Sequence, residues 1–388
     1  MLKLVKDPVH GYVTISDEER RLVDSAAVQR LRRISQLPLV HLVYPGARHS
    51  RFDHSLGCMH LAGEFADHLN LDTHERNLLR ASALLHDIGH TPFSHLFEQL
   101  LMEKRLSHED MSIKIVQEDD EIASALEIMG LDVKEVVDVL RGRSRLSGLV
   151  SGPLDVDRLD FLLRDAYFTG ATYGVVDVRR IIRLTRLLED GPAVDSRGIG
   201  VVEELAIARY HSFINIYFHH AARAAQHLLL RAAKMLGDEL DFSTMTVQEY
   251  LQHDDYTTWC LLRSREKSRP YIKMLEKRIL PKRVFEQKFL GENGLRINYS
   301  DISLLERLIA EEAGTEPTKI YVDYSYAPPL TKYGPGEVRI HPPPDTDSWI
   351  IQQLSKPLKL VRVYVEREAA ELDRVRKAAE KIIGSETV

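Results

Sequence analysis

The sequence predicts a mainly α chain that opens with a short β-hairpin and closes with a small α+β subdomain. Three observations carry this. From Asp17 to about Leu240, apolar residues recur at three- and four-residue intervals, the spacing of one helix face. Ahead of that run, residues 3–15 alternate loosely, with Pro8 and Gly11 at turn positions, which reads as a hairpin. From Lys319 onward, β-branched and aromatic runs separated by Pro-rich turns replace the helical spacing. The expected division is residues 1–317 and 318–388.

Taken in order, Asp17 to Leu37 reads as one helix. Its start is acidic, Leu22, Val23, Val28, Leu31 and Ile34 fall at helical spacing, and Pro38 stops it because proline has no N–H to donate. Helices follow at roughly 54–70, 75–87, 93–103, 108–117 and 120–129. Another begins near Asp157, and a long one covers about 202–236. Gly191, Pro192 and Gly198 mark a small hairpin between helices. Arg263 to Arg283 holds nine basic and two acidic residues, which fits a solvated helix face or a phosphate-binding face at a subunit interface. Residues 320–324, 338–340 and 360–365 read as strands, with Pro342-Pro343-Pro344 among their turns. Glu366 to Ile383 reads as an amphipathic helix.

Composition narrows the class. The chain has 388 residues and 44% hydrophobic content, enough for one large domain and a small one. No apolar run reaches about 18 residues, so no spanning helix and no membrane partner are expected. The first residues, MLKLVKDPVHGYV, lack the apolar core of a signal peptide. Cys58 and Cys260 form no CxxC pattern and suggest no disulfide framework, and Cys58 reads as a buried structural thiol. The expected location is cytoplasmic. A net charge of −6 argues against a surface built mainly for nucleic acid, while leaving room for a local basic groove.

The chemistry concentrates in Leu84-Leu85-His86-Asp87-Ile88-Gly89-His90-Thr91-Pro92-Phe93-Ser94-His95. An adjacent His and Asp close an apolar helix, a rigid place to hold a cation. Imidazole nitrogen plus carboxylate oxygen suits Zn, Fe, Mn and similar ions. Upstream stands Arg51-Phe52-Asp53-His54, and downstream Leu154-Asp155-Val156-Asp157-Arg158 with Asp160, Arg164 and Asp165 following. Together these segments resemble the HD-domain phosphohydrolases, in which a His, an HD doublet and a distant Asp bind the metal. The likeness is closer to the deoxynucleoside-triphosphate triphosphohydrolase (dGTPase-like) branch, which includes a nucleotide-regulated animal member. It runs from Lys6-Asp7-Pro8-Val9-His10-Gly11, through Gln29-Arg30-Leu31-Arg32, to about residue 285.

The resemblance implies an HD-domain helical bundle with the metal site within 51–165 and a substrate-side helix at about 202–236. Its metal ligands are His54, His86, Asp87 and Asp157, and its ion a divalent transition metal (Zn, Fe, Mn, Ni or Co), with Mg accompanying the nucleotide. It also implies that His90, His95 and His108 contact the phosphate chain or act in acid–base roles. Glu98 stands where the animal member has Asp. Arg51, Arg158 and Arg209 would meet phosphate, while Gln36, Leu37, Asp165 and Tyr217 would surround the deoxyribose. Arg164 reads instead as a structural partner of Asp160 or Asp165. Phe161 replaces a usual Tyr, so one hydroxyl contact is lost.

A second nucleotide site is also implied. Asp24, Gln29 and Arg32 match residues that receive a guanine nucleotide, and Arg278 and Lys282 match phosphate contacts. In the regulated relative these groups come from different subunits, which implies a homodimer or homotetramer with a guanine-nucleotide activator.

The reaction so implied is hydrolysis of dNTP to deoxynucleoside and triphosphate, by metal-activated water attacking the α-phosphate. Metal chemistry by itself also fits a nucleotidase or phosphodiesterase acting on another ester. From a different class, a nucleotide sensor or nucleic-acid-binding protein with little turnover is favoured only by the basic 263–283 stretch.

Overall fold

Pro8 cannot extend a strand ladder, and Gly11 takes φ +83°, so the chain reverses between them. In this computed structural model, which describes residues 2–291, 299–327, 339–342, 348–354, 356–366 and 369–384, that reversal joins β1 (Lys3–Asp7) to β2 (Gly11–Ile15) in an antiparallel pair. The Asp7 carboxylate accepts the Val9 and His10 N–H groups at 2.8 Å each and fixes the turn.

The chain forms two compact units. The first comprises Met1–Ser212, Asp241–Trp259 and Leu330–Gln352; the second comprises Phe213–Leu240, Cys260–Pro329 and Gln353–Val388.

In the first unit, the helix expected over Asp17–Leu37 is broken. It runs Asp17–Val23, restarts at Ala26–Arg30 and tightens to a 3₁₀ turn over Leu31–Arg33. The break falls at Ser25, whose hydroxyl donates to the Leu22 carbonyl at 2.8 Å and competes with the helix ladder. Ile34 is already extended, and Ser35 donates its N–H to Asp255 Oδ2 at 2.9 Å, so tertiary bonding ends the segment before Pro38 acts.

The following helices are Arg51–His68, Thr73–Leu85, His95–Met102, His108–Glu118 and Asp120–Ile128. Ser50 and Ser107 start theirs with reciprocal capping boxes, and Asp72 and Asp119 cap theirs with a carboxylate. Val156–Thr169 ends on Gly170, which adopts the left-handed conformation. The Arg51–His68 helix is the centre of this unit. It buries Phe52, Leu56, Met59, Leu61 and Phe65 and packs against both Thr73–Leu85 and Val156–Thr169. The predicted hairpin is present as β3 (Thr185–Leu188) and β4 (Gly191–Val194).

The helix expected over 202–236 is interrupted. Ile199–Ser212 gives way to a π-turn over Phe213–Tyr217, and the helix resumes at His220–Lys234. Phe218 donates to the Phe213 carbonyl at 2.8 Å, and extended His219 caps the new helix by accepting the Ala221 N–H at 3.3 Å. Apolar periodicity continues through the break and therefore hides it.

The second unit holds a three-stranded antiparallel sheet in the order β5–β7–β6, with β5 at Lys282–Leu290, β6 at Ile320–Ala327 and β7 at Leu358–Val365. Ile320, Val322, Val361, Val363 and Val365 form its core with Ile309, Ala310, Val375 and Ala379 from the helices Tyr299–Ala313 and Ala369–Gly384. The sheet and core thus draw on β5 and Tyr299–Ala313, both ahead of residue 318. The basic 263–283 stretch is not one helix face: it spans the end of Asp255–Ser264, the helix Arg269–Glu276 and the start of β5. Of the strand expected at 338–340, Val338 lies outside the described residues, and Ile340 makes an isolated parallel bridge to Val194. Pro343 and Pro344 also lie outside them. Among the described residues, no helix is long and apolar enough to cross a membrane.

Candidate active site

Four donors meet because three helix ends are fixed separately. The Ser50 capping box sets the start of Arg51–His68 and places His54 one turn in, fully buried. His86 stands at the C-cap of Thr73–Leu85, with Nδ1 2.8 Å from the Ala83 carbonyl, so that Nδ1–H donates and Nε2 is left facing inward. Asp155 caps Val156–Thr169, accepting the Arg158 N–H at 2.7 Å, and this sets Asp157 in the first turn.

His54 Nε2 lies 3.1 Å from Asp157 Oδ1 and 3.5 Å from Asp87 Oδ2. His86 Nε2 lies 3.3 Å from Asp87 Oδ1 and 3.8 Å from Asp157 Oδ1. Donors bound at about 2.0–2.2 Å to one ion sit about 3.0–3.5 Å apart. The buried His86 Nε2 has no hydrogen-bond partner, an unsatisfied group that a cation would satisfy. Two imidazoles and two carboxylates therefore fit a divalent ion of intermediate softness. Cys58 offers its sulfur within 4.8 Å of the His54 and His86 donors, and in the metal-free protein burial pushes its thiol up. Burial opposes the charged form of Asp87, yet His86, Arg51 and His90 outweigh it and hold that carboxyl well below the usual range.

The turn carrying these residues is pinned on several sides. Gly89 N–H donates to Ser112 Oγ at 2.9 Å, and Ser112 Oγ donates to the His86 carbonyl at 2.8 Å. Tyr250 Oη donates to the Gly89 carbonyl at 2.6 Å, and buried Arg30 donates to the His90 carbonyl at 3.0 Å. Phe93 and Ser94 follow with φ +56° and +51°, a strained pair. Phe93 N–H donates to Asp255 at 2.6 Å, and the Ser94 hydroxyl donates to the Ser35 carbonyl at 2.6 Å.

Beside the donors stands an imidazole cluster. His90 and His108 stack at 4.0 Å, and His95 meets both rings edge-on. One carboxylate orients two of these rings: Glu98 Oε1 lies 2.5 Å from His108 Nδ1 and Oε2 lies 2.8 Å from His95 Nδ1. Burial disfavours a charged His108, but Glu98 outweighs it and raises the pKa. Burial, then Arg51 and His108, hold His90 well below 6.5.

The remaining predicted residues fall as follows. Arg51 is buried and pairs with Asp87 at 2.5 Å and with Ser94 Oγ at 2.9 Å. Buried Arg158 turns back to the Gly152 carbonyl. Arg164 pairs with both oxygens of Asp160 and with Asp7, each at 2.8 Å. Gln36 is buried with Oε1 unpartnered, and its N–H donates to the His49 carbonyl at 3.1 Å, while the His49 ring meets Asp165 Oδ1 at 2.7 Å. Gln36 and Asp165 thus share His49 as a neighbour. Leu37 is largely buried, and Arg209 is buried on Ile199–Ser212. Half-buried Tyr217 belongs to the second unit, on the π-turn.

On the Asp17–Arg33 segment, Asp24 is exposed, Gln29 Nε2 donates to the Val23 carbonyl at 2.8 Å, and Arg32 donates to Gln29 Oε1 at 2.8 Å while lying over the Phe52 ring. Arg278 and Lys282 line a cavity of about 360 Å³ in the second unit together with His220, Arg283 and Tyr364.

Sequence reasoning gave no role to His10 or His49, and it read Asp160 only as a possible partner of Arg164, not as the carboxylate that holds His54. The available signal was Asp160 one turn beyond Asp157 on the same helix face.

Comparison with known proteins gives two family matches, an HD domain over residues 51–154 and an HD associated region over residues 176–341. The uncharacterized Bacillus subtilis protein YwfO is 34% identical over 363 residues, covering 86% of this chain and 82% of the relative. A Dictyostelium discoideum homolog of the deoxynucleoside triphosphate triphosphohydrolase SAMHD1 is 31% identical, covering 73% of this chain and 60% of that protein. Among solved structures, a hypothetical protein from Aquifex aeolicus superposes with a TM-score of 0.80 at 30% identity, covering 97% of this chain and 100% of that one.

Proposed function

The chain belongs to the HD-domain phosphohydrolase family, and from that premise we propose that it hydrolyses deoxynucleoside triphosphates to deoxynucleoside and intact triphosphate. The observation that carries the reading is the convergence of His54, His86, Asp87 and Asp157 beside the open imidazole cluster of His90, His95 and His108. The likeness to proteins named as triphosphohydrolases supports the substrate class.

His54, His86, Asp87 and Asp157 would hold the metal. When bound, a divalent ion supplies Lewis acidity toward a phosphoryl oxygen and lowers the pKa of coordinated water. Arg51 holds Asp87 in place and lends positive charge to the site. Attack by water at the α-phosphorus breaks the bond to the 5′ oxygen, which must gain a proton. His90, His95 and His108 supply positive charge or that proton. Gln36, Leu37 and Asp165 would meet the deoxyribose, and Arg158 and Arg209 the phosphates.

Regulation is part of the proposal. Asp24, Gln29 and Arg32 would read a guanine base, and Arg278 and Lys282 would take its phosphates in a homo-oligomer.

The test is incubation of purified protein with dNTPs, NTPs and monophosphates across Zn, Mn, Fe, Co, Ni and Mg, with products separated by ion-exchange chromatography. Deoxynucleoside and triphosphate are expected. Orthophosphate with dNDP, or turnover of monophosphates alone, would overturn the reading.

A further inference from the structure

We propose that His49 is a positioning residue that fixes the Asp165 carboxylate for the sugar 3′-hydroxyl, and so lets the site tell a deoxynucleotide from one lacking that hydroxyl. This role rests on the triphosphohydrolase reading and refines it at the sugar.

Two backbone segments bring the residues together. Residues 34–36 run antiparallel to residues 49–51 about a bridge between Ser35 and Ser50. The Gln36 N–H donates to the His49 carbonyl at 3.1 Å, and the Arg51 N–H donates to the Ile34 carbonyl at 2.9 Å. Gln36 therefore lies opposite His49, and His49 stands two residues before Arg51, which opens the helix carrying His54. One short ladder thereby ties the register of the sugar residues to that of a metal donor.

The helix Val156–Thr169 grips the His49 imidazole with two side chains three residues apart, on one helix face. His49 Nε2 lies 2.7 Å from Asp165 Oδ1, and the Phe168 ring stacks on His49 with centroids 4.6 Å apart and planes 16° from parallel. The His49 and Asp165 side chains are both buried, so bulk water does not compete for their bond. The stack fixes the ring plane, Nε2–H donates to Oδ1, and the carboxylate loses its freedom to rotate. His49 Nδ1 is buried with no hydrogen-bond partner among the described residues, so the bond to Asp165 is the one that orients this ring.

Gln36 Oε1 is likewise buried without a hydrogen-bond partner among the described residues, a cost that a ligand donor would remove. A carboxylate and an amide oxygen are both acceptors. In a deoxynucleoside triphosphate the 2′ carbon bears no oxygen and the 5′ oxygen is esterified, so the 3′-hydroxyl is the donor that the sugar offers. His49 acts on that hydroxyl through Asp165.

The experiment compares kcat/KM for a dNTP and for its 2′,3′-dideoxy counterpart. The wild type should prefer the dNTP about 10–100-fold, the worth of a hydrogen bond to a charged group. His49→Phe keeps a ring to stack on Phe168 but loses the donor, and should shrink that preference about 10-fold or more. His49→Gln keeps an N–H donor and should retain more of the preference. Asp165→Ala should lose it as His49→Phe does, and the two changes together should cost no more than Asp165→Ala alone. General damage to the fold would slow both substrates alike. An unchanged preference in His49→Phe, equal loss in both His49 variants, or a wild type that takes both substrates equally overturns the proposal and leaves the triphosphohydrolase reading standing. Absence of dNTP turnover in the wild type would sink that reading and the role of His49 with it.

Discussion

The Asp160 carboxylate meets His54 Nδ1 at 2.8 Å, and this contact decides which nitrogen of His54 faces the other donors. With Nδ1–H donated to Asp160, the lone pair of Nε2 points at Asp157 and Asp87. Asp160 is itself held by Arg164 through both oxygens and by His10 Nε2 at 2.6 Å. Asp160→Asn should weaken metal binding about 10–100-fold. Equilibrium dialysis against Mn²⁺ or Zn²⁺ checks this, and an unchanged affinity would mean that helix packing alone orients His54.

A glycine protects that arrangement. Gly57 lies within the Arg51–His68 helix, where alanine would be favoured by about 1 kcal/mol on propensity alone. A β-carbon there would run into Asp160 Oδ1 and Arg164 Nη2, both fully buried. Gly57→Ala should therefore destabilise the protein by about 1–3 kcal/mol despite its better propensity. It should also weaken metal binding, because the displaced group orients His54. Urea denaturation combined with metal dialysis reads both effects, and a stabilised variant with full affinity would refute the steric account.

The helix around His54, the His86-Asp87 doublet and the start near Asp157 were legible because each lies in a short motif on an apolar helical period, and Ser50 and Asp155 cap the first and last of these helices. What stayed hidden was long-range. His10 and Asp160 are 150 residues apart, and no local pattern pairs them. Ser25 breaks an apolar period that reads as continuous, because a hydroxyl bond to Leu22 leaves the spacing of Leu22, Val28 and Leu31 intact. The π-turn at Phe213–Tyr217 escaped for the same reason. β5 was masked by its own charges: Lys282 and Arg283 fall in the 263–283 stretch that fits a solvated helix face, while the pairing that makes it a strand lies with residues 358–365. Arg51 was expected at phosphate, and its pairing with Asp87 and Ser94 was not legible, because those partners lie 36 and 43 residues away.

In the second unit, Asp323 is fully buried against Arg223 at 2.6 Å and His227 at 3.2 Å, with the Ser325 hydroxyl donating to it at 3.0 Å. Burial opposes its ionisation, but Arg223 and His227 outweigh it and hold the carboxyl well below the ordinary 3.8. A depressed carboxyl contributes stability that is present above its unfolded value and is lost as pH falls toward the folded one. Asp323→Asn should cost about 3 kcal/mol near neutral pH, because it leaves the arginine without its counter-charge. The gap from wild type should shrink below about pH 4. Urea melts at pH 7, 5 and 3 test this, and a gap that widens on acidification would contradict the sign.

Nucleotide binding and assembly should be coupled. Arg278, Lys282, Arg283 and His220 line one cavity, with Tyr364 at its wall, and three guanidinium or ammonium groups in so small a space suit a polyphosphate. Arg278 adopts φ +53°, a conformation that the surrounding structure must impose on a non-glycine residue. If the nucleotide also contacts Asp24, Gln29 and Arg32 of another subunit, it gains those contacts only in the assembled state and must favour assembly by linkage. Losing one charge-assisted contact of about 1.5–3 kcal/mol raises the nucleotide concentration needed by about 10–100-fold. Sedimentation of Asp87→Ala protein, kept from turning over its ligand, is expected to show a larger mass with dGTP or GTP than without. Adding Arg278→Ala should blunt that response, and Arg278→Ala alone should leave the metal content of the wild type unchanged. A mass independent of nucleotide over a wide range of protein concentration would rule out the coupling, and the assignment of His54, His86, Asp87 and Asp157 would be unaffected because it rests on other residues.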